Sequence, residues 1–324
     1  MELKNVAIIG PRGNVGSAII SELLKNGNRF NITAISRPTS TYSTPKGSCI
    51  TIKTVDFGSL ESLSSAFQGQ DAVINCVSGG ATQYEPYKLI IDAAVAAGVK
   101  LFFANEFVGN LLSEQFKRLP ETFVGAKVRI RQYLEELGKE GKINWTALNG
   151  GPFFDMWLMK GPAGFDIPNK RARIYGTGES KLCWTPLPTI AFAAANMLRK
   201  PYLILNRPVY ISNIPGLTQN AILAAVEPVL ATKFNVEYID IKKINENART
   251  ALERGEIPKA MRGLTISNQF YEEDSGSDFS ALVENDLVGV QPVSVEVAVR
   301  DAIAKWGAET PVVETMFNVN PCEI

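Results

Sequence analysis

Gly10, Gly13 and Gly16 stand three apart, directly after the apolar run Val6 to Ile9 and directly before a helical pattern of apolar residues, Ala18, Ile19, Ile20, Leu23 and Leu24. A strand, a glycine turn and a helix in that order can cradle a pyrophosphate. Glycine lets the backbone turn tightly and approach the phosphates closely, and the helix N-terminus offers them free N–H groups. Arg12, Asn14 and Val15 lie in the same loop and join the three glycines as cofactor-binding candidates. The end of the second predicted strand says which dinucleotide. An acid there binds the ribose hydroxyls of NAD, whereas a base accommodates the 2′-phosphate of NADP. The chain reads Ile35-Ser36-Arg37, with no acid. Arg37 can pair bidentately with a phosphate and Ser36 can donate to it. Arg12 points to the same region, and Lys46 could add a third charge. NADP(H) is the expected cofactor. Asp56, after the third strand, could accept from the adenine amino group or simply close a turn. Val77 and Ser78, ending the fourth strand, fall by topology along the cofactor's ribose.

Proton transfer has few candidates. The chain has no histidine, which removes Ser-His-Asp and Cys-His catalysis and histidine metal sites. Lys127 sits among Phe123, Val124, Ala126 and Val128 on a predicted helix. Burial there disfavours the ammonium and should bring its pKa towards working pH, which suits a proton shuttle. The alternative is a lysine that only binds ribose hydroxyls. Tyr84-Glu-Pro-Tyr87-Lys88 is a literal Tyr-x-x-x-Lys, but it follows the fourth strand and its proline suits a helix start, so it reads as chance. Tyr84 and Tyr87 could still face a pocket. Met156, Trp157, Trp184 and Tyr271 could line one that suits a flat aromatic substrate. Each could equally be core.

The elements that must position these residues follow from the apolar pattern. Strands are predicted at 5–10, 30–37, 50–55, 71–77, 99–104 and 143–148, with helices at 14–26, 59–67, 84–97 and 124–140. Strands apolar on both faces, alternating with helices, imply an α/β fold of the Rossmann type, a doubly wound parallel sheet. Beyond about residue 150 glycine-rich loops intervene. Helices are predicted near 187–199, 217–231, 244–254 and 294–305, and strands near 207–212 and 235–240. This suggests a nucleotide-binding domain at 1–153 and a smaller mixed α/β substrate lobe at 154–324, with a soft boundary across which the chain could interleave.

Composition bounds the rest. Of 324 residues, 45% are hydrophobic and 20% charged, as in a soluble globular protein, and the formal net charge is zero. There is no electrostatic case for nucleic acid or an anionic membrane. No apolar run reaches the length of a membrane span. The N-terminus enters a strand directly, leaving no room for a signal peptide, so a cytoplasmic location is expected. Cys49, Cys76, Cys183 and Cys322 form no CxxC pair, and neither a disulfide framework nor a metal site is expected. Zero net charge leaves monomer and homodimer both open.

Taken in order, these segments resemble the NmrA-like and isoflavone reductase-like group of atypical short-chain dehydrogenases. The resemblance rests on the glycine loop, the basic end of the second strand, Asp56 to Asp71, Ile90 to Lys100 followed by Leu101 to Phe107, Ala126-Lys-Val-Arg129, Ile174-Tyr-Gly-Thr-Gly178, Asp278-Phe-Ser and Pro292 to Glu296. It implies a Rossmann-type fold and an NADPH-dependent reductase of a small aromatic or polyketide-like metabolite. Two alternatives stay open: a regulator that binds the dinucleotide without turning it over, and a non-redox isomerase, cyclase or lyase. The usual Tyr-x-x-x-Lys pair reads Phe123-Val-Gly-Ala-Lys127 here, which resembles the reductase branch with its lone lysine. The family's Pro-Ser-Glu-Phe-Gly becomes Ala104-Asn-Glu-Phe-Val108, so Asn105 replaces a serine that could bind a substrate oxygen. In Asn149-Gly-Gly-Pro-Phe-Phe154, Phe153 aligns with the aromatic residue that packs on the nicotinamide. Gly151 replaces a more polar residue beside the cofactor, and Phe154 is either a substrate contact or core.

Overall fold

The structure, a computed structural model, describes residues 1–319 apart from 26, 28, 118, 122–125 and 272–276. The first part of the chain runs β1 (Asn5–Ile9), α1 (Asn14–Leu24), β2 (Asn31–Ser36), β3 (Thr51–Thr54), α2 (Leu60–Phe67), β4 (Ala72–Asn75), α3 (Tyr84–Ala96), β5 (Leu101–Ala104), a short α4 (Glu114–Lys117), α5 (Lys127–Lys139) and β6 (Asn144–Asn149). Alternation along β1 shows why this becomes a covered parallel sheet. Val6 and Ile8 enter a core with Ile19, Ile20 and Leu23 of α1. Ala7 and Ile9 enter a second core with Leu63 and Phe67 of α2, Ile90 and Ile91 of α3 and Leu134 of α5. Each strand residue therefore has an apolar layer to enter, whichever face it points to.

After β6 come α6 (Phe154–Lys160), β7 (Phe165–Asp166), β8 (Arg171–Tyr175), α7 (Leu187–Arg199), β9 (Arg207–Tyr210), α8 (Gln219–Val229), β10 (Asn235–Ile239), α9 (Ile241–Glu253), α10 (Ile257–Phe270), α11 (Val295–Trp306) and α12 (Glu314–Phe317). The large sheet has seven strands in the order β3-β2-β1-β4-β5-β6-β9, all paired in parallel. Strand order reverses between β1 and β4, which leaves a crevice over the carboxyl ends of the strands.

The chain interleaves across the soft boundary, and α4, α6, β7, β8, α10 and α12 lie where the apolar pattern predicts no element. The division at residue 153 is not a clean cut: α7 packs on α1 and β9 joins the large sheet beside β6. Ile190, Val209 and Ile211 thus belong to the first core. Of the unpredicted elements, α10 is the longest. Its central Gly263 reads as a helix weakness, yet a Cβ there would lie 2.6 Å from Ala248 Cβ on α9. The glycine is what lets the two helices touch.

The remaining elements form a smaller lobe around Phe154, Phe165, Tyr175, Trp184 and Phe270. Its sheet has the order β10-β8-β7 and mixes one parallel and one antiparallel pairing. Asp155 joins it to the rest of the chain, accepting from Leu187 N at 2.9 Å and from Lys305 Nζ at 2.7 Å. No helix among the described residues is long and apolar enough to cross a membrane.

Candidate active site

The glycine loop divides its labour. Gly10 has φ +76°, and a Cβ there would meet Cys76 O at 2.6 Å, while one on Gly16 would meet Gly10 O at 2.3 Å. These two glycines close the turn. Gly13 is exposed and forms the N-cap of α1 without any side chain capping the helix. By contrast, Ser59, Thr218, Asp240 and Ser294 each cap their helix by accepting a backbone N–H. The first turn of α1, Asn14 and Val15 included, therefore keeps donors that those four helices satisfy internally. Beside it, Arg12 Nη1 donates to Thr41 Oγ1 at 2.5 Å, which fixes the guanidinium against the loop after β2. Ser36 is buried at the end of β2 and Arg37 is exposed next to it. An open helix start with two arginines nearby fits a pyrophosphate and a further phosphate. Lys46 is exposed further along that loop, and no contact among the described residues ties it to Arg12 or Arg37. The Asp56 carboxylate accepts from Gly58 N at 2.9 Å, so it closes the turn before α2, the plainer of its two expected roles.

Beyond the carboxyl ends of β4, β5 and β6 lies a cavity of about 450 Å³. Val77, Ser78, Asn105, Lys127, Phe153 and Trp157 all line it. Lys127 begins α5, and its Nζ donates to Asn105 O at 2.5 Å and to Asn105 Oδ1 at 3.3 Å. Burial pushes its pKa down to about 8, opposed by the nearby Glu106 carboxylate. Asn105 is itself held on two sides. Its backbone N–H donates to Tyr87 Oη at 2.5 Å and its Nδ2 to Val77 O at 2.5 Å. The Asn105 amide thus ties the ends of β4 and β5 together and seats the lysine, and the second N–H of its NH2 group has no acceptor among the described residues, so the expected donation to a substrate oxygen stays possible.

Several expected pocket residues lie elsewhere. Tyr87 is 1% exposed, packs in the sheet core and supports Asn105 from behind, with burial pushing its phenol pKa up. Tyr84 stacks under the Arg129 guanidinium at 3.8 Å, and Lys88 pairs with Asp92 at 2.6 Å, so neither end of the literal Tyr-x-x-x-Lys reaches the cavity. Phe154 and Trp184 are core residues of the smaller lobe, and Tyr271 packs against that core. Trp184 does not line the cavity but backs Trp157, whose ring it meets edge-on at 5.0 Å, and Gln269, to which its indole N–H donates. Gly151 is buried, not open to a ligand. Its φ is +68° and a Cβ would fall 1.9 Å from Cys183 O, so the position demands glycine for packing. Phe123, in the place of the missing tyrosine, lies outside the described residues together with Val124.

Reasoning from sequence missed a buried charge pair behind the site. Arg131 Nε donates to Glu106 Oε1 at 2.9 Å and Arg131 Nη2 to Glu106 Oε2, with both side chains 3% exposed. Arg131 also reaches Tyr210 Oη at 3.4 Å and Asn149 Oδ1 at 3.3 Å. These two partners in turn hold Asn110 and Gly109 of the cavity wall. The signal was available, since Arg131 lies one helical turn after Lys127 and Glu106 directly follows Asn105. Gln269 of α10 also lines the cavity and could not be found while α10 itself was unseen.

A doubly wound sheet with an open glycine loop at its switch point defines a dinucleotide-binding protein. Residues 10–160 match the family model described as NAD(P)H-binding. Oxidoreductase aprR of Aspergillus flavus is 31% identical over 86% of this chain and 95% of its own length. An isoflavone reductase homolog of Solanum tuberosum is 26% identical over 76% of this chain and 81% of its own. Among solved structures, AtPrR2 with NADP+ and (+)pinoresinol superposes with a TM-score of 0.71 at 19% identity, over 93% of this chain and 99% of that one. The chain is an NAD(P)H-binding oxidoreductase and belongs to the NmrA-like and isoflavone reductase-like family.

Proposed function

We propose that this enzyme is an NADPH-dependent reductase of an uncharged, flat, oxygen-bearing molecule of aromatic or polyketide-like character, with Lys127 as the proton shuttle. One observation carries this reading. Lys127 is the only formally charged residue among the described residues that line the cavity, and its ammonium is poorly solvated. The other walls are aromatic, aliphatic or neutral polar, which favours a ligand without charge of its own.

The first turn of α1 and Gly13 would hold the pyrophosphate. Arg37, with Ser36 and Arg12, would hold the 2′-phosphate, Val77 and Ser78 would run along the ribose, and Phe153 would pack against the nicotinamide. Bound there, the reduced nicotinamide supplies a hydride to an electrophilic carbon of the substrate. An ammonium has three N–H groups. Asn105 accepts two of those of Lys127, which leaves one for a substrate oxygen in the cavity. Lys127 gives that proton as negative charge develops on the oxygen, and a pKa of about 8 makes it both protonated at neutral pH and a ready donor. Trp157 and Phe153 keep the reacting region dry and flat.

The test is a fluorescence titration with NADPH and NADH of the wild type and of Arg37→Ala, followed by NADPH oxidation with quinones, enones and aryl ketones. Tight NADPH binding, a preference lost in Arg37→Ala, and turnover lowered by about 10²–10⁴ in Lys127→Ala are the expected results. Equal binding of both nucleotides would sink the assignment to NADP. Turnover that stays within about tenfold of the wild type in Lys127→Ala would sink the proton shuttle.

A further inference from the structure

The geometry points to Gln269 as a specificity-determining residue: its side-chain amide is locked so that the NH2 group faces the cavity as a donor to a second oxygen of the substrate. This rests on the reading of the cavity as the substrate site. Trp184 Nε1 donates to Gln269 Oε1 at 3.1 Å, and Ser277 Oγ donates to the same oxygen at 2.7 Å. An indole N–H can only donate, so the atom it meets must be the amide oxygen. The orientation of the amide, ordinarily a matter of choice, is thereby fixed. Two donors fill both lone pairs of Oε1. The Nε2 group has no acceptor among the described residues, and Gln269 lines the cavity.

The lock is stiff. Trp184 is fully buried, and its ring meets Trp157 at 5.0 Å and Phe270 at 5.7 Å, both edge-on. Ser277 is buried, and its carbonyl accepts from Cys183 N at 2.9 Å. Turning the amide over would set an NH2 against the indole N–H, donor against donor. Gln269 thus offers a donor already oriented before any ligand arrives. A ligand that places a carbonyl, ether or hydroxyl oxygen there satisfies the amide, whereas a hydrocarbon edge leaves a desolvated donor without a partner. The substrate class implied has two oxygen functions, one for Lys127 of the nucleotide-binding lobe and one for Gln269 of the smaller lobe.

Flavanone and its 4′-, 6- and 7-methoxy ethers are suitable probes, because the methoxy oxygen only accepts. Their dissociation constants are read from tryptophan fluorescence of the full-length protein saturated with NADP+, so no turnover is needed. One ether is expected to bind about tenfold more tightly than flavanone, the worth of one well-made hydrogen bond. Gln269→Glu keeps both bonds accepted from Trp184 and Ser277 but cannot donate, and it should bring that ether to parity with flavanone. Trp184→Phe, which releases the lock, should lose part of the preference, and NADP+ affinity should be unchanged in both variants. If the flavanones bind without any ether being preferred, or if Gln269→Glu keeps the preference, the donor role is overturned while the substrate reading stands. If no probe binds although NADP+ does, the aromatic-substrate reading falls and takes the donor role with it.

Discussion

The two walls of the cavity are built on different principles. The wall contributed by the nucleotide-binding lobe carries the only charge among the described lining residues, at Lys127, and backs it with the buried Glu106–Arg131 pair. The wall contributed by Trp157, Cys183, Thr265, Asn268, Gln269, Ser277 and Phe279 presents no formal charge among the described residues, only aromatic rings, amides, hydroxyls and a thiol. The contrast puts proton chemistry on elements anchored in a sheet that is covered on both faces, where positions are rigid. Recognition falls to helices and loops of a separate core, which can change without disturbing the sheet. It is sharpest within α5. Lys127 and Arg131 are one turn apart and both feel Glu106. Arg131 receives the carboxylate in two hydrogen bonds and its pKa goes up, whereas Lys127 gets only neutral oxygens and its pKa goes down.

Removing the charged wall should have the largest effect. Lys127→Ala is expected to lower kcat by about 10²–10⁴, the usual contribution of a positioned acid, with NADPH affinity changed far less. For reduction, the active form of Lys127 is the ammonium, so kcat should hold below pH 8 and fall as pH rises through about 8. Lys127→Arg, charged at every accessible pH, should flatten that limb whatever activity it retains. Steady-state kinetics between pH 6 and 10 decide the matter, and an unchanged limb in Lys127→Arg would assign the titration to another group.

Next comes the pair behind the lysine. Glu106→Gln leaves Arg131 buried without its counter-charge, and a broken buried pair costs about 3–5 kcal/mol. Urea unfolding should show that loss. Because the network also holds Asn110 and Gly109 against the cavity, KM for the organic substrate should rise as well. A purely electrostatic role towards Lys127 would move the pH limb and leave KM alone.

The nucleotide end should respond more modestly. Arg37 is exposed, and its charge competes with solvent. Arg37→Ala should weaken NADPH binding about tenfold and leave NADH nearly untouched. Equal losses for both nucleotides would mean that Arg37 serves the fold and not the phosphate.

The same contrast explains what was legible in the sequence. The glycine loop, Arg37 and Lys127 could be read because each belongs to a strand-turn-helix unit whose apolar period declares it. The alternation of Val6 with Ala7 and of Ile8 with Ile9 between two cores is such a signal. The second wall was opaque. α10 hides behind Gly263, which looks like a helix breaker until Ala248 is seen against it. Aromatic residues were found in the sequence without any means of ranking them, so Trp157 and Trp184 looked alike although only Trp157 lines the cavity. The Tyr87 hydroxyl is visible in the sequence as a possible substrate contact, whereas the Asn105 N–H that it accepts in the sheet core is not.

The smallest effect expected is also the one that separates function from stability within the charged wall. The folded-state pKa of Lys127, about 8, lies below its ordinary value of 10.5, so the native protein binds fewer protons than the unfolded chain between those two pH values. Burial of the ammonium is therefore a cost to folding that is fully present below pH 8 and is relieved as pH rises towards 10.5. Lys127→Met keeps the length of the side chain and removes the charge. It should raise stability at pH 7 by on the order of 1–2 kcal/mol, less than the shift alone implies, because both Asn105 oxygens lose a donor. The gain should shrink above pH 10, where the wild-type lysine is already neutral. Urea unfolding of both proteins at pH 7 and pH 10 measures it. A stabilised, inactive Lys127→Met would mark the lysine as held in place against the interest of the fold, which is what a catalytic wall predicts and a structural lysine does not. A destabilised variant would mean that its bonds to Asn105 outweigh its burial, and Lys127 would then belong with Arg131 as a brace of the sheet end.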